Sequence, residues 1–337
     1  MVSIRVLGVS LVLAAVWGGC GDAEGTGLQD PIDGDQGSSA AGGRGGSAGG
    51  TNGGSSGDDG GGSGGASEEG GASSGGSSGG DAGSGSDAGG IDAGPSAGCG
   101  QAPEFQSGTY ELEVGGLTRT FIIDVPSDYS EDEPYPIVFG FHGRDFSAAE
   151  FRSDSYGDLP SAVGDAAILV HPDATDAGAW ELESQVDIEF FDAMLDVLTR
   201  GLCVDQTRVF ATGHSSGGYF TNVLGCQRGD VLRAIAPVAG GGPVIDGDEP
   251  TCQGPVSAWI AHGEADETVP FLNGEGTLEY WLGRDDCDAE SAASVAPDPC
   301  VAYSCSGGSA VQWCAHAGGH DWPDFGAAGI WSFFDSL

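Results

Sequence analysis

The stretch Val209-Phe210-Ala211-Thr212-Gly213-His214-Ser215-Ser216-Gly217-Gly218 decides the fold. A β-branched and aromatic run breaks into a serine with a glycine two residues to either side, and Tyr219, Phe220, Val223 and Leu224 follow at helical spacing. A G-x-S-x-G segment between strand and helix reads as a nucleophile elbow. The serine sits in a strained turn, and the residues two before and two after it must be small for the flanking backbones to pass. Such a turn exposes Ser215 Oγ above a sheet and points the N–H of Ser216, at the start of the helix, to where an oxyanion forms. In a chain with 64 glycines the bare pattern arises by chance, and the glycine-rich leader holds such copies. The strand before and the helix from Ser216 to Gln227 after it single this copy out.

Working outward, the runs alternate between strand and helix. Thr109 to Val114 and Thr118 to Val125 alternate in strand fashion around Gly115-Gly116, which predicts a leading antiparallel hairpin. Ile137 to Phe141 and Ala167 to His171 are short apolar strands, and Val186, Phe190, Met194, Val197 and Leu198 mark one face of a helix ending near Gly201. Beyond the elbow come strands over Ala234 to Ala239 and Val256 to His262, a helix over Thr277 to Leu282, a strand over Val311 to Ala315 and a closing helix over Ala327 to Phe334. Alternating βα units predict an α/β class chain with a mostly parallel sheet covered on both faces, the α/β-hydrolase arrangement.

In that arrangement an acid follows the serine on a loop after a later strand, and a histidine lies near the C-terminus. Ser257 to His262 reads as the strand and His262-Gly-Glu264-Ala-Asp266-Glu267-Thr-Val-Pro270 as the loop. Asp266 is the expected acid, there to orient and stabilise an imidazolium, with Glu264 and Glu267 as neighbouring alternatives. His320, on a glycine-flanked loop after the Val311 to Ala315 strand, is the expected general base. His316 lies at the strand end and reads as structural, as do His142, His171, His214 and His262. A second oxyanion donor belongs after an early strand, where Phe141-His142-Gly143-Arg144 offers the backbone N–H of Arg144. The Arg144 guanidinium reads equally as a surface cation or a substrate contact.

The first nineteen residues, with Arg5, an apolar core from Val6 to Val16 and Gly18-Gly19 before Cys20, have the form of an export signal too short to span a membrane. Gly-Gly-Cys resembles the lipobox of bacterial lipoproteins, so that Cys20 would carry lipid. Trp17 departs from that pattern, and ordinary cleavage with free secretion stays open. Residues 20 to 98 are almost entirely Gly, Ser, Ala and Asp and cannot bury enough apolar surface to fold. A Gly-rich tether of that length spans roughly 50 Å as a coil. One domain is expected over 99 to 337.

The chain has 51 acidic against ten basic side chains, a formal charge of −41, and so repels nucleic acid and anionic lipid. Membrane contact is expected only through the N-terminal lipid. No calcium loop and no paired C-x-x-C is present, so neither metal nor cofactor is expected. Of nine cysteines, lipidation of Cys20 would leave an even set, Cys99, Cys203, Cys226, Cys252, Cys287, Cys300, Cys305 and Cys314. Four disulfides are the expectation in an oxidising compartment, with roughly a hundred connectivities open.

Taken in order, Gly98-Cys99-Gly-Gln-Ala-Pro, Val186-Asp187-Ile-Glu-Phe190-Phe-Asp-Ala-Met194, Leu202-Cys203-Val-Asp205, Gly213-His-Ser-Ser-Gly-Gly218, Cys226, Val231-Leu-Arg-Ala-Ile235, His262-Gly-Glu-Ala-Asp266 and Gly318-Gly-His320 resemble the feruloyl esterase and polyhydroxybutyrate depolymerase-like esterases, type C feruloyl esterases above all. The resemblance spans nearly all of 99 to 337. It implies a cofactor-free serine esterase, monomeric and extracellular or on the outer cell surface, with Ser215, Asp266 and His320 as triad. Its substrate would be an ester, hydroxycinnamate linked to cell-wall polysaccharide. It also implies the bridges Cys99–Cys203, Cys226–Cys252 and Cys287–Cys305, and leaves Cys300 and Cys314 to each other. Aromatic residues beside these elements, Trp180, Tyr219 and Trp322, together with Phe146, suit a planar acyl group. An aliphatic polyester depolymerase and a non-catalytic surface lipoprotein are the alternatives. A complete triad in order argues against the second, and no polymer-binding module supports the first.

Overall fold

The computed structural model describes residues 94–153, 158–175, 178–244 and 251–337, together with the backbone of 4–6. Its strands are β1 (Ile4–Val6), β2 (Gly108–Val114), β3 (Leu117–Asp124), β4 (Tyr135–Phe141), β5 (Ile168–Pro172), β6 (Val204–His214), β7 (Ala234–Val238), β8 (Ser257–Gly263), β9 (Cys287–Ser294), β10 (Val301–Cys305) and β11 (Val311–His316). Its helices are α1 (Ala148–Arg152), α2 (Leu159–Val163), α3 (Val186–Gly201), α4 (Ser216–Gln227), α5 (Phe271–Arg284) and α6 (Gly326–Asp335).

Among the described residues the strands form one sheet in the order β1-β2-β3-β5-β4-β6-β7-β8-β11-β10-β9. The six central strands from β5 to β11 run parallel, and the ribbons at both edges are antiparallel. The period of two along each central strand sends side chains to alternate faces. Ile137, Phe139 and Phe141 of β4 and Val209 and Ala211 of β6 pack in a cluster with Phe190 and Met194 of α3, Phe220 and Leu224 of α4 and Trp281 of α5. Val138 and Phe210 join a second cluster with Phe151 of α1, Leu159 of α2 and Ile330 and Phe334 of α6. Burial on both faces is what the unbroken apolar runs of β4, β7 and β8 require.

Several features depart from the sequence reading, the short helices α1 and α2 among them. Packing begins before Cys99: Pro95 bridges to Asp205, and the buried Ser96 Oγ donates to Leu202 O at 2.7 Å and accepts from Val204 N at 2.9 Å. That hydroxyl completes the hydrogen bonding at the start of β6, a role composition cannot reveal. Within the expected export signal, Ile4–Val6 lies antiparallel along β2, whose free edge accepts any extended segment. Cys20 and the expected tether up to residue 93 lie outside the described residues. Finally, β9 and β10 extend the sheet where no strand is expected. Most of the side chains of β9 are exposed, so its polar Cys287-to-Ser294 sequence carries no apolar alternation, and pairing with β10 and the Cys287–Cys305 bridge hold it instead.

The remaining disulfides join Cys99 to Cys203, Cys226 to Cys252 and Cys300 to Cys314. A buried ion pair ties β3 to α3: Arg119 Nη2 lies 2.7 Å from Asp187 Oδ1 as a contact of charges rather than an aligned hydrogen bond. The Arg119 guanidinium also sits 4.1 Å over the Phe190 ring and donates to Asp173 O. Among the described residues no helix is long and apolar enough to cross a membrane.

His171 on β5 is fully buried, and burial pushes its imidazole down to about 4, against which the Asp124 charge works weakly. Its folded pKa lies below the unfolded value, so its contribution to stability is present above about pH 6.5 and is lost as pH falls toward 4. Asp285, held up at about 6 by burial, works in the opposite direction. The expected outcome is that His171→Leu flattens the decline of unfolding free energy between pH 6.5 and 4 by about 1.4 kcal/mol per pH unit, measured by urea unfolding of both proteins.

Candidate active site

The turn from β6 into α4 is built by close approach. Ser215 has φ 55° and ψ −119°, a region that ordinary side chains seldom adopt. A Cβ at Gly213 would strike the Gly217 carbonyl, and one at Gly217 would strike the carbonyls of Phe141 and His142 at the end of β4. Hydrogen bonds hold the turn in place: Ser215 N donates to Val238 O at 3.0 Å, and Thr221 Oγ1 donates to Gly217 O at 2.7 Å. Ser216 opens α4, so its N–H has no carbonyl one turn earlier to engage.

Around Ser215 a relay of three side chains closes. Ser215 Oγ lies 2.8 Å from His320 Nε2, and His320 Nδ1 lies 2.7 Å from Asp266 Oδ2. The other carboxylate oxygen, Oδ1, accepts the backbone N–H groups of Thr268 at 2.9 Å and Val269 at 2.8 Å. Burial works to raise the Asp266 carboxyl, but the hydrogen bonds from His320, Val269 and Thr268 outweigh it and hold the group below the ordinary carboxylate range. Glu264 and Glu267 on the same loop are exposed. His316 Nδ1 accepts Gly318 N at 3.2 Å and thereby braces the loop that carries His320. His142 Nε2 accepts Ala174 N at 2.9 Å and His171 is buried on β5, and neither hydrogen-bonds to a member of the relay.

His214, the variable position of the elbow, packs 4.9 Å from the His320 ring, and burial followed by the His320 charge pushes its imidazole down to about 3. It therefore remains a neutral wall against which the His320 ring rests.

Ser215 and His320 open into a pocket of about 660 Å³ that Phe146, Trp180, Leu182, Tyr219 and Val269 also line, with Ser216 and Arg144 at its wall. The Asp145 N–H donates to Gly178 O at 2.8 Å and that of Phe146 to Gly143 O at 3.2 Å. Among the described residues no hydrogen bond engages the neighbouring Arg144 N–H, and the Arg144 side chain is exposed.

The three aromatic residues take different places. Trp180 stacks on Phe220 with centroids 5.1 Å apart and donates through Nε1 to His142 O at 2.8 Å, while its backbone N–H reaches Ser216 Oγ at 3.2 Å. It is core and wall at once. Tyr219 is half-buried in the wall; burial, then the Asp266 charge, push its phenol up, so it is a hydrogen-bond donor at neutral pH. Trp322 is not among the lining residues: it packs edge-on to Phe151 and behind His214, in the second core cluster. Sequence reasoning passed over Leu182, Thr268 and Val269, which no local motif marks. A second cleft of about 490 Å³, lined by Leu117, Thr118, Thr120, Asp173 and Thr175, shares Phe146 with the first. Among the described residues no group of three or more His, Cys, Asp or Glu side chains could hold a metal ion.

A serine at the turn after the central parallel strand, with helices on both faces of the sheet, defines the α/β-hydrolase fold. The solved acetyl xylan esterase from Aspergillus awamori shares this fold at a TM-score of 0.52 and 18% identity, over 65% of this chain and 94% of that one. No family model matches the chain. Among curated proteins, a probable feruloyl esterase C of Aspergillus niger is 32% identical over 258 residues, 71% of this chain and 90% of its own length. Feruloyl esterase D of Neurospora crassa is 29% identical over 248 residues, 68% of this chain and 83% of its own. The chain belongs to the feruloyl esterase family and is a carboxylic ester hydrolase.

Since a Cβ at Gly217 meets main-chain carbonyls of a central strand rather than a side chain that can swing aside, Gly217→Ala must displace either β4 or the start of α4. The expected cost is on the order of 1–3 kcal/mol, which lowers the melting temperature by roughly 5 °C, with a loss of ester turnover larger than the stability loss explains. Calorimetry and turnover at a temperature well below both transitions check this.

Proposed function

We propose that the protein cleaves esters through an acyl-enzyme, with Ser215 as nucleophile, His320 as general base and Asp266 as the acid that orients and stabilises the imidazolium. The observation that carries this reading is the unbroken relay from Ser215 Oγ through His320 to Asp266, at 2.8 and 2.7 Å. His320 Nε2 takes the hydroxyl proton as Oγ bonds to the ester carbonyl carbon. The N–H groups of Ser216 and Arg144 receive the oxyanion, and the imidazolium returns the proton to the leaving alcohol as its C–O bond breaks. Water, deprotonated by His320, then attacks the acyl-enzyme, and Ser215 leaves with the proton restored.

The acyl group is a hydroxycinnamate. The pocket volume lies within the range of small-ligand sites, and Trp180, Phe146 and Tyr219 line it with aromatic surface, the Tyr219 hydroxyl offering a donor. The alcohol is a sugar of cell-wall polysaccharide, supported by the adjoining cleft with its threonine-rich rim. The names of the Aspergillus and Neurospora relatives, feruloyl esterases, support the acyl assignment. The enzyme works as an extracellular monomer, tethered through lipid on Cys20, a reading that rests on the Gly18-Gly19-Cys20 sequence. Partition of the exported chain into detergent, lost in Cys20→Ser, tests the anchor.

Ser215→Ala is expected to fold normally and to lose at least about 10⁴ of ester turnover, since triad residues act as a unit. Near-normal hydrolysis by this variant would remove the assignment. Methyl ferulate is expected to be cleaved at roughly tenfold higher kcat/KM than p-nitrophenyl acetate, the increment that one or two aromatic contacts supply. A higher kcat/KM on the acetate, or on polyhydroxybutyrate, would overturn the acyl preference.

A further inference from the structure

We propose that His262 is a positioning residue that holds the Asp266 carboxylate in register with His320. The proposal rests on the triad reading above and adds to it a residue outside the triad. His262, the penultimate residue of β8, is fully buried and does not line the substrate pocket. Its Nε2 lies 2.9 Å from Val269 O. A carbonyl only accepts, so Nε2 carries the proton and the tautomer is assigned by that contact. The same N–H faces Asp266 Oδ2 at 3.3 Å. That 3.3 Å approach is a contact of charges rather than an aligned hydrogen bond, so the His262 N–H bonds the Val269 carbonyl and lies against the Asp266 carboxylate, while the Val269 N–H returns a hydrogen bond to Asp266 Oδ1.

The consequence for Oδ2 is specific. It is the oxygen that receives His320 Nδ1 at 2.7 Å, so the His320 hydrogen bond and the dipole of the His262 N–H bear on one atom. With two backbone donors on Oδ1, the carboxylate is fixed against rotation about its Cβ–Cγ bond, and the positive end of the His262 N–H dipole lies beside Oδ2 and stabilises its charge.

The ring of His262 is itself held. A Cβ at Gly274, on α5, would come within 2.5 Å of Nδ1, and Phe271 meets the ring edge-on at 6.0 Å. Among the described residues Nδ1 has no hydrogen-bond partner, so the ring's one polar anchor is the Nε2 contact. The other ionisable groups that bear on Asp266 or His262 are His214, His316 and Tyr219, with Glu264 and Asp321 acting on His316.

The experiment compares His262→Phe, which keeps a ring and removes the donor, with His262→Gln, whose amide nitrogen can replace Nε2. Both are assayed for kcat, KM and the pH dependence of kcat/KM on methyl ferulate or p-nitrophenyl acetate, whichever is turned over, with folding checked by near-UV circular dichroism. In His262→Phe the expected result is a fall in kcat of roughly tenfold or more, as for a misplaced catalytic group, with KM changed less than about twofold. The acidic limb of kcat/KM moves to higher pH by several tenths of a unit, because a carboxylate that has lost the neighbouring His262 N–H dipole holds a proton on His320 more tightly. Glutamine recovers most of the kcat and returns the limb. Gly274→Ala, which presses on the ring from the far side, shifts kcat and the limb in the same sense, and it carries the test if His262→Phe does not fold.

An unmoved pH limb in a folded His262→Phe, equal loss in the phenylalanine and glutamine variants, or unaltered kcat would each overturn the proposal. Failure of the triad reading shows separately, as activity surviving in Ser215→Ala.

Discussion

Everything at the proposed site depends on how closely α4 is allowed to approach the end of β4. Gly217 lies so near the Phe141 carbonyl that no side chain fits between them, and Gly213 lies as near to Gly217. Because of this approach the chain can reverse from strand to helix within a single residue, with Ser215 taking the strain at φ 55°. The strain is tolerated because the surroundings over-determine it: Ser215 N is bound to β7, the Gly217 carbonyl is bound by Thr221, and Phe220 is stacked in the core below. The same approach sets the start of α4 against the 143–146 loop, so that Ser216 and Arg144 line one pocket.

The other half of the site is held by hydrogen bonds instead of contact. The 266–269 loop and the 316–320 loop come from the ends of the neighbouring parallel strands β8 and β11. They are joined by Glu264 N to His316 O at 2.7 Å and Ala265 N to Gly318 O at 3.0 Å, besides the Asp266–His320 contact itself. A site assembled on the carboxyl ends of adjacent parallel strands is a general consequence of this sheet topology. The Cys300–Cys314 bridge, inside the second core cluster, fastens β11 to the start of β10 below the His320 loop.

The aromatic residues show the tension between packing and recognition. Trp180 cannot serve the pocket alone, because its ring is sandwiched against Phe220 and edge-on to Phe141 while Nε1 is committed to His142 O. What it offers a substrate is a rigid surface with no rotamer freedom left to lose, which suits a planar group better than a mobile ring would. Phe146, about half exposed, stands between the two clefts and touches both.

The elbow was legible in the sequence because its requirements are local: two glycines at fixed offsets, a strand before and a helix after. The central strands and α3 were legible for the same reason, since periodicity reports the faces a segment buries. Asp266 and His320 could be named from chain order, but Glu264, Asp266 and Glu267 are chemically equivalent in a sequence, and only the direction of the turn buries Asp266 and leaves its neighbours in solvent. Trp322 looked equal to Trp180 and Tyr219 beside the proposed triad, yet the course of the chain after His320 carries it behind His214 and into the core. The edge strands β9 and β10 were invisible because pairing and a disulfide, with little burial, make them strands. His262 read as one of several strand-end histidines. Its distance to Asp266 Oδ2 depends on a loop folding back over four residues, and sequence specifies such a contact only through the packing of β8, α5 and the loop together.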